Sequence, residues 1–367
     1  MQLDNSTSIL DFQKDLIGWF KGNQRNLPWR QDQDPYKVWV SEIMLQQTRV
    51  ETVIPYFNRF IDKFPTIKAL AEAEEGDVLK AWEGLGYYSR ARNLQSAVRE
   101  VHEKYNGQVP NSKAEISKLK GVGPYTSGAI LSIAYERPEP AVDGNVMRGI
   151  SRIFASFDDI SKQTTRKKIE VIISKMISWS DPSSFNQGLM ELGALICTPT
   201  SPTCSICPVQ RHCQAFAQNI QDQLPVKAKK AKPKQKKLAC AFIKNQESKV
   251  LIHQRPSTGL LANLWEFPNL EITIEKPIEE QLSEFLLTDF HFHTNVGEKI
   301  FHVEHLFSHL KWDVTIFQVE LLSIEEMTKN NERTKWVSAD EIKIYPFPVS
   351  HQKIITHCLN EFYNYNK

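Results

Sequence analysis

The pattern of apolar and polar positions changes once along this chain. Up to about residue 220, apolar residues recur at three- and four-residue spacing, the period of helices with a buried face. VWVSEIMLQQTRVETVIPYFNRFIDKF (38–64) and SKLKGVGPYTSGAILSIAY (117–135) carry the period most strongly, broken by Gly and Pro. From about residue 238 the period shortens. LACAFIKN (238–245), SKVLIHQR (248–255), FHVEHLFSHLKWDVTIFQVEL (301–321) and TKWVSADEI (334–342) read as strands, with EEQLSEFLL (279–287) a helix among them. The pattern predicts a multidomain chain: an all-α domain over 1–220, a linker over 221–237 and an α+β domain over 238–362.

Composition changes this picture in two places. KAKKAKPKQKK (227–237) holds seven lysines and no acid, so the rest of the chain is net acidic against a total of +2. A stretch so charged and so poor in apolar residues reads as a solvated tether, with contact to a polyanion as the functional option. At the other end, MQLDNSTSILDFQKDLIGWF reads as an amphipathic helix capped by Asn5, Ser6 or Thr7 rather than a leader. The apolar runs fall well short of the roughly 18 residues that span a bilayer. A cytoplasmic monomer without membrane attachment is expected.

Four of the six cysteines, Cys197, Cys204, Cys207 and Cys213, fall within seventeen residues as C-x6-C-x2-C-x5-C. Four soft thiolates select zinc or an iron–sulfur cluster. Structural zinc sites pair their cysteines as two close couples, and only Cys204 and Cys207 form one here. The long outer gaps suit wrapping a larger 4Fe–4S cube. A thiolate centre needs reducing surroundings, and Cys240 and Cys358 remain as free buried thiols.

LKGVGPYTSGAI (119–130) joins two helical stretches through Gly121 and Gly123. Such a turn leaves backbone N–H groups bare at the start of the next helix, a ready phosphate site. With the cysteine loop some 70 residues downstream, it resembles the endonuclease III superfamily of helix-hairpin-helix DNA glycosylases. That resemblance implies a helical domain with an iron–sulfur module, acting on double-stranded DNA from which one nucleotide is flipped. It also implies a catalytic carboxylate about eighteen residues past the hairpin, which Asp143 of VDGNVMR matches. On its own residues Asp143 reads as a helix N-cap, and a helix N-terminus is expected to hold it ionised. Strand-cleaving members carry a lysine where this chain has Tyr125, so little or no lyase activity is implied.

LPWRQDQDPYKVWVSEIMLQQTRV (27–50) narrows the resemblance to the MutY-type adenine DNA glycosylases. Glu42 interrupts an apolar stripe with Val38 and Leu45, while Trp39, Val40, Ile43 and Met44 make the other sides apolar. Burial of that kind raises a carboxyl pKa and leaves a proton to donate near neutrality. The resemblance makes Glu42 the acid that protonates adenine at N7, with Asp143 facing the sugar cation. Tyr125 and Asn145 would hold Asp143 and a nucleophilic water. Arg25, Trp29, Arg30, Leu45, Val50 and Gln187 would form the adenine pocket. Gln47 and Thr48, with Leu85 and Tyr87 of GLGYYSR, would form a wedge contacting the opposite base.

The second domain resembles the Nudix fold through VLIHQRPSTGLLANLWEFPNLE (250–271) but lacks the R-E-x-x-E-E helix that holds Mg²⁺, so pyrophosphate hydrolysis is not expected. In the MutY-type arrangement such a domain reads 8-oxoguanine, and Phe307, Ser308 and His309 match its recognition loop. The implied substrate is DNA with adenine opposite 8-oxoguanine or guanine, met by a repair enzyme associated with the nucleoid through that DNA. Chemistry and lesion reading are expected to separate at about residue 238. One departure stands out: the loop TPTSPT (198–203) lacks the basic residues that relatives place there, leaving Arg211 as the fully charged base inside the cysteine run.

Overall fold

The computed structural model describes residues 6–228, 232–307, 309–324 and 333–365. They pack as two units. The first runs to Glu72 and resumes at Asn93, ending near residue 228, and the second holds Ala73–Arg92 and the chain from the lysine-rich stretch onward.

The first unit is helical. It contains α1 (Ser6–Asn23), α2 (Pro35–Leu45), α3 (Val50–Lys63) and α4 (Ile67–Glu72) before the chain leaves for α5 (Glu75–Ala81) of the second unit. It resumes within α6 (Ser89–Lys104) and continues through α7 (Lys113–Ile116), α8 (Pro124–Tyr135), α9 (Gly144–Ile153), α10 (Gln163–Met176), α11 (Pro182–Leu195) and α12 (Gln214–Ala217). Phe12 and Leu16 of α1, Val146 and Ile150 of α9, and Phe185 and Leu189 of α11 meet in one fully buried core. α2 starts cleanly because Asp34 accepts from the N–H groups of Tyr36 (2.8 Å) and Lys37 (3.4 Å) and Pro35 presets the first turn. Eight of its eleven residues are buried, Glu42 among them, as an apolar surround on all sides requires.

Among its described residues the second unit is a seven-stranded sheet between helices. β1 (Lys234–Lys244) lies at its centre, parallel to β6 (Leu310–Ile324) and antiparallel to β2 (Val250–Gln254) and β4 (Asn269–Glu271). β3 (Trp265–Glu266) and β7 (Thr334–Val337) pair with β2, and β5 (Phe292–Leu306) is antiparallel to β6. Residues of β1 alternate between two cores. Leu238, Cys240 and Phe242 face one, with Ile354 and Cys358 of α14 (Val349–Tyr365), while Ala239, Ala241 and Ile243 face the other, with Leu282 and Leu286 of α13 (Ile278–Phe290). A strand covered on both faces is apolar at every position, which is why LACAFI shows no polar alternation.

The boundaries expected from sequence shift in three places. Ala73–Arg92 packs with the second unit, its side chains bonding the backbone of Ala262, Tyr345 and Phe347. The linker of 221–237 is largely structured. Arg152 donates from Nε to the carbonyls of Gln221 and Leu224, each at 3.0 Å, and Lys234–Lys237 extend β1 in register with Leu310–Asp313. Residues 229–231 lie outside the described ones. Finally, the strand reading of 301–321 is a hairpin whose first strand begins at Phe292, where bulges break the alternation that marks a strand.

α8 crosses the segment before α9 at backbone contact. A Cβ on Gly128 would stand 2.0 Å from the carbonyl oxygen of Pro140 and 2.7 Å from its carbon. Backbone cannot yield as a side-chain tip can, so Gly128→Ala should cost about 1–3 kcal/mol or more. Thermal unfolding should show Tm lowered by several degrees; an unchanged Tm would refute this packing.

Candidate active site

A cavity of about 740 Å³ opens in the first unit between α2, the α7–α8 turn, the start of α9 and one face of α11. Glu42 projects into it from α2 and is 5% exposed. Burial, the largest influence, pushes its carboxyl up to about 7; Asp143 nearby pushes the same way, while the Tyr125 hydroxyl and Arg30 oppose. Tyr125, at the start of α8, donates its hydroxyl to Glu42 Oε2 and also lies 3.4 Å from the Met190 sulfur. The expectation that Tyr125 holds Asp143 is therefore corrected: its hydrogen bond goes to Glu42.

Asp143 is the N-cap of α9, accepting from Val146 N–H at 2.7 Å and from Asn145 Nδ2 at 2.9 Å. These bonds favour its anion, yet burial outweighs them and its pKa stands above the ordinary aspartate value. The cap was legible in sequence; the desolvation that acts against it, contributed by elements distant along the chain, was not. The turn is fixed from several directions. Asn186 of α11 donates to the Glu139 carbonyl (2.8 Å) and accepts from Ala141 N–H (3.3 Å). Arg148 donates to Asn145 Oδ1 at 2.9 Å and to the carbonyls of Gly193 and Cys197, each at 2.8 Å.

Arg25, Trp29, Arg30, Leu45, Val50 and Gln187 all line this cavity, as do Gln47, Thr48, Gly121 and Gly123. Gly121 adopts φ +80° in the hairpin and Gly123 caps α8, so the turn closes as the sequence predicts. Glu191 is a wall residue that sequence reasoning missed. It accepts from Arg25 Nε (2.8 Å) and Nη2 (3.0 Å) and from Arg30 Nη2 (3.0 Å), while Arg30 Nε donates to Gln187 (2.9 Å). A signal existed, since Glu191 lies one helical turn past Gln187 on the same face of α11.

The remaining predicted residues lie in the second unit. Leu85, Tyr87, Phe307 and His309 share a cavity of about 330 Å³ there, whereas Gln47 and Thr48 belong to the first unit. Leu85 is buried and Tyr87 is half-exposed. Ser308 lies outside the described residues.

All four cysteines of the 197–213 loop line one cavity whose exposed wall is apolar, closed by Ile153, Leu192, Ile196 and Val209. Among the described residues no group of three or more His, Cys, Asp or Glu stands as a single-ion site. Arg152, 2% exposed, organises the loop, donating to the Cys197 sulfur (3.3 Å) and to the Thr198 and Pro199 carbonyls (2.7 and 3.3 Å). Gln221 Oε1 is buried at this cavity with no partner. Four thiols on one cavity beside buried arginines fit a thiolate-bound centre of net negative charge. Arg211 pairs with Asp15 at 2.8 Å, anchoring the loop to α1.

Residues 40–175 match the model of the HhH-GPD superfamily base excision DNA repair proteins, and 239–357 match the NUDIX domain model. The adenine DNA glycosylase of Buchnera aphidicola subsp. Schizaphis graminum is 34% identical over 349 residues, covering 95% of this chain and 99% of that protein. That of Rattus norvegicus is 33% identical over 390 residues, covering 91% and 75%. The chain belongs to the adenine DNA glycosylase family. Among solved structures, a thermostable thymine-DNA glycosylase aligns over 58% of this chain and all of its own, with TM-score 0.54 and 26% identity. A trapped endonuclease III–DNA covalent intermediate aligns over 59% and 99%, with TM-score 0.50 and 23% identity, a likeness of fold. The family thus unites the helical unit bearing Glu42 and Asp143 with a Nudix-like sheet. No described helix is long and apolar enough to cross a membrane.

The Glu191 network yields a test within this glycosylase. Burial pushes the Glu191 carboxyl up, but the bonds from Arg25 and Arg30 together outweigh it and hold the group at about 2, so its contribution is present above the ordinary value of 4.5 and is lost as pH falls toward 2. Glu191→Gln should lower stability at pH 7 by about 1–3 kcal/mol, discounted because solvent reaches Arg25. The gap between the two proteins should narrow as pH falls from about 5 to about 3. A gap independent of pH, by chemical denaturation, would contradict the ion-pair assignment.

Proposed function

We propose that this protein flips adenine out of duplex DNA where it faces 8-oxoguanine or guanine, and hydrolyses its N-glycosidic bond. The observation that carries the reading is Glu42: a carboxyl inside a DNA glycosylase cavity, raised to about 7 and oriented by Tyr125, beside a second carboxylate. Glu42 gives its proton to adenine N7 as the bond to C1′ breaks, so the base departs neutral with the bonding electrons. Asp143 faces the positive charge left on the sugar, and water then adds at C1′ and gives up a proton to the carboxylates. Arg25, Trp29, Arg30, Leu45, Val50 and Gln187 receive the base. Tyr125 offers no amine for a Schiff base, so the strand is left uncut. Gly121 and Gly123 present backbone N–H groups to a phosphate.

The second unit reads the opposite base. Its cavity beside Leu85, Tyr87, Phe307 and His309 supports this role, and Ser308 would supply a hydroxyl that both donates and accepts. Cys197, Cys204, Cys207 and Cys213 would hold a 4Fe–4S cluster, which when bound cross-links the loop to the helical core.

Glu42→Gln should bind DNA yet slow adenine release by about 10²–10⁴-fold, because an amide has no proton to give. In the unaltered protein, single-turnover release should fall as pH rises through about 7, where Glu42 ionises. Asp143→Asn should be inactive likewise. Duplexes with adenine opposite 8-oxoguanine, guanine, cytosine or thymine supply the assay; wild-type rates in either variant would overturn the assignment.

Purified anaerobically, the protein should contain about four irons per chain and absorb near 400 nm, as expected of such clusters. Cys204→Ser should lower iron content and soluble yield together. Stoichiometric zinc in place of iron would reject the cluster.

A further inference from the structure

Ala73–Arg92 interrupts the helical unit in sequence yet packs with the sheet. The bonding that holds it converges on one residue. Glu83 Oε1 accepts from Phe347 N–H at 2.8 Å, and Tyr88 donates its hydroxyl to the Phe347 carbonyl at 3.1 Å. Both backbone groups of Phe347 are therefore gripped by side chains of this segment, while its ring is 1% exposed in the sheet's core. Three further bonds flank the grip. Lys80 Nζ donates to the Tyr345 carbonyl at 3.0 Å, Asn263 Nδ2 donates to Glu75 Oε1 at 2.6 Å, and Arg92 donates to the Ala262 carbonyl.

Between Glu83 and Tyr88 the backbone curls tightly. Gly84, Gly86 and Tyr87 adopt φ of +102°, +71° and +47°, the last uncommon for a residue with a side chain. Gly84 N–H donates to the Tyr88 hydroxyl at 3.3 Å, so the oxygen that holds Phe347 also closes the curl. The curl carries Leu85 and Tyr87 to the cavity that they share with His305, Phe307 and His309. A left-handed tyrosine costs free energy and persists only where its surroundings over-determine it. Here Trp82 Nε1 donates to the Gly86 carbonyl, Arg90 donates to the carbonyls of Leu85, Gly86 and Tyr87, and the Tyr88 hydroxyl ties the start of the curl to Phe347, which Glu83 holds from its other side.

We propose that Glu83 and Tyr88 are positioning residues for opposite-base selection. Through Phe347 they fix the 84–87 curl beside His305, Phe307 and His309, with which it shares one cavity, so that these residues form a single reading surface. The proposal rests on the reading of this unit as the one that senses 8-oxoguanine. It adds the two residues, Glu83 and Tyr88, that hold the upstream part of that surface in place. A cut before residue 238 would strip Ala73–Arg92 of these partners as well as removing the sheet.

The test uses the full-length protein with Tyr88→Phe, Glu83→Gln and His309→Ala, singly and paired. Each is assayed by single-turnover adenine release opposite 8-oxoguanine and opposite guanine, with DNA affinity measured alongside. Tyr88→Phe and Glu83→Gln should each cut the preference for 8-oxoguanine by about two- to tenfold, the worth of one hydrogen bond. The loss should fall on the 8-oxoguanine duplex, with release opposite guanine within about twofold of wild type. Coupled residues give non-additive effects, so Tyr88→Phe paired with His309→Ala should lose no more preference than the worse single variant. A merely structural loss would lower Tm and slow both duplexes equally, and that outcome rejects the proposal. Preference lost in His309→Ala but intact in Tyr88→Phe and Glu83→Gln also rejects it, leaving the reading of the unit standing. Preference intact in all three variants rejects that reading itself.

Discussion

A carboxyl group keeps its proton near neutral pH only where water is excluded and no cation is bonded to it. Glu42 meets both conditions, and much of the first unit follows from them. Exclusion of water comes from α2 itself, buried around most of its circumference. The cation condition is harder, because Arg25 and Arg30 line the same cavity. Their guanidinium groups are drawn to Glu191, and Arg30 also to Gln187, so the nearest positive charge is spent on a different acid. The group bonded directly to Glu42 is a neutral phenol, which orients a carboxyl while importing no charge. One wall thus holds two glutamates of opposite character: Glu42 raised to about 7, Glu191 lowered to about 2. Environment alone separates them.

The second carboxylate poses a positional problem. Asp143 sits on a turn, where backbone is ordinarily free to shift, yet it must stay near Glu42. Close backbone approach removes that freedom: Gly128 leaves no room for a Cβ against Pro140, and a Cβ on Gly193 would stand 2.6 Å from that of Asn145. Arg148 then joins Asn145 to the carbonyls of Gly193 and Cys197, and Arg152, one turn along α9, holds the cysteine loop. The same helix that presents Asp143 at its start therefore presents its arginines to the cysteines. Any centre those thiolates hold is mechanically continuous with the turn that carries Asp143.

How much of this was legible in the sequence depended on the range of the interaction. Local signals read well. The Asp143 cap, the Gly121–Gly123 hairpin, the fully apolar surround of Glu42 and the strand at LACAFIKN all follow from residues within a turn or two of each other. Interactions set by tertiary packing did not. That Tyr125 bonds Glu42, not Asp143, depends on how α8 crosses α2, and no spacing encodes it. Burial outweighing the cap at Asp143 has the same origin, since desolvation is contributed by elements scattered along the chain. The lysine-rich segment misled for a further reason: it is poor in apolar residues, yet strand pairing uses backbone groups that every lysine carries. Glu191 was within reach, because its spacing from Gln187 places both on one face of α11.

The placement of Ala73–Arg92 is the feature that composition conceals most completely, because its helices look like those around them. Its consequence is topological. A sheet unit joined only through residues near 229 would be held by one connection, and its encounter with any shared substrate would be governed by that tether's reach. With Ala73–Arg92 built into it, the chain passes between the units after Glu72 and again before Asn93 as well. Each added connection confines the tethered unit further. Covalent topology, which no local signal in the sequence encodes, is therefore what this segment changes.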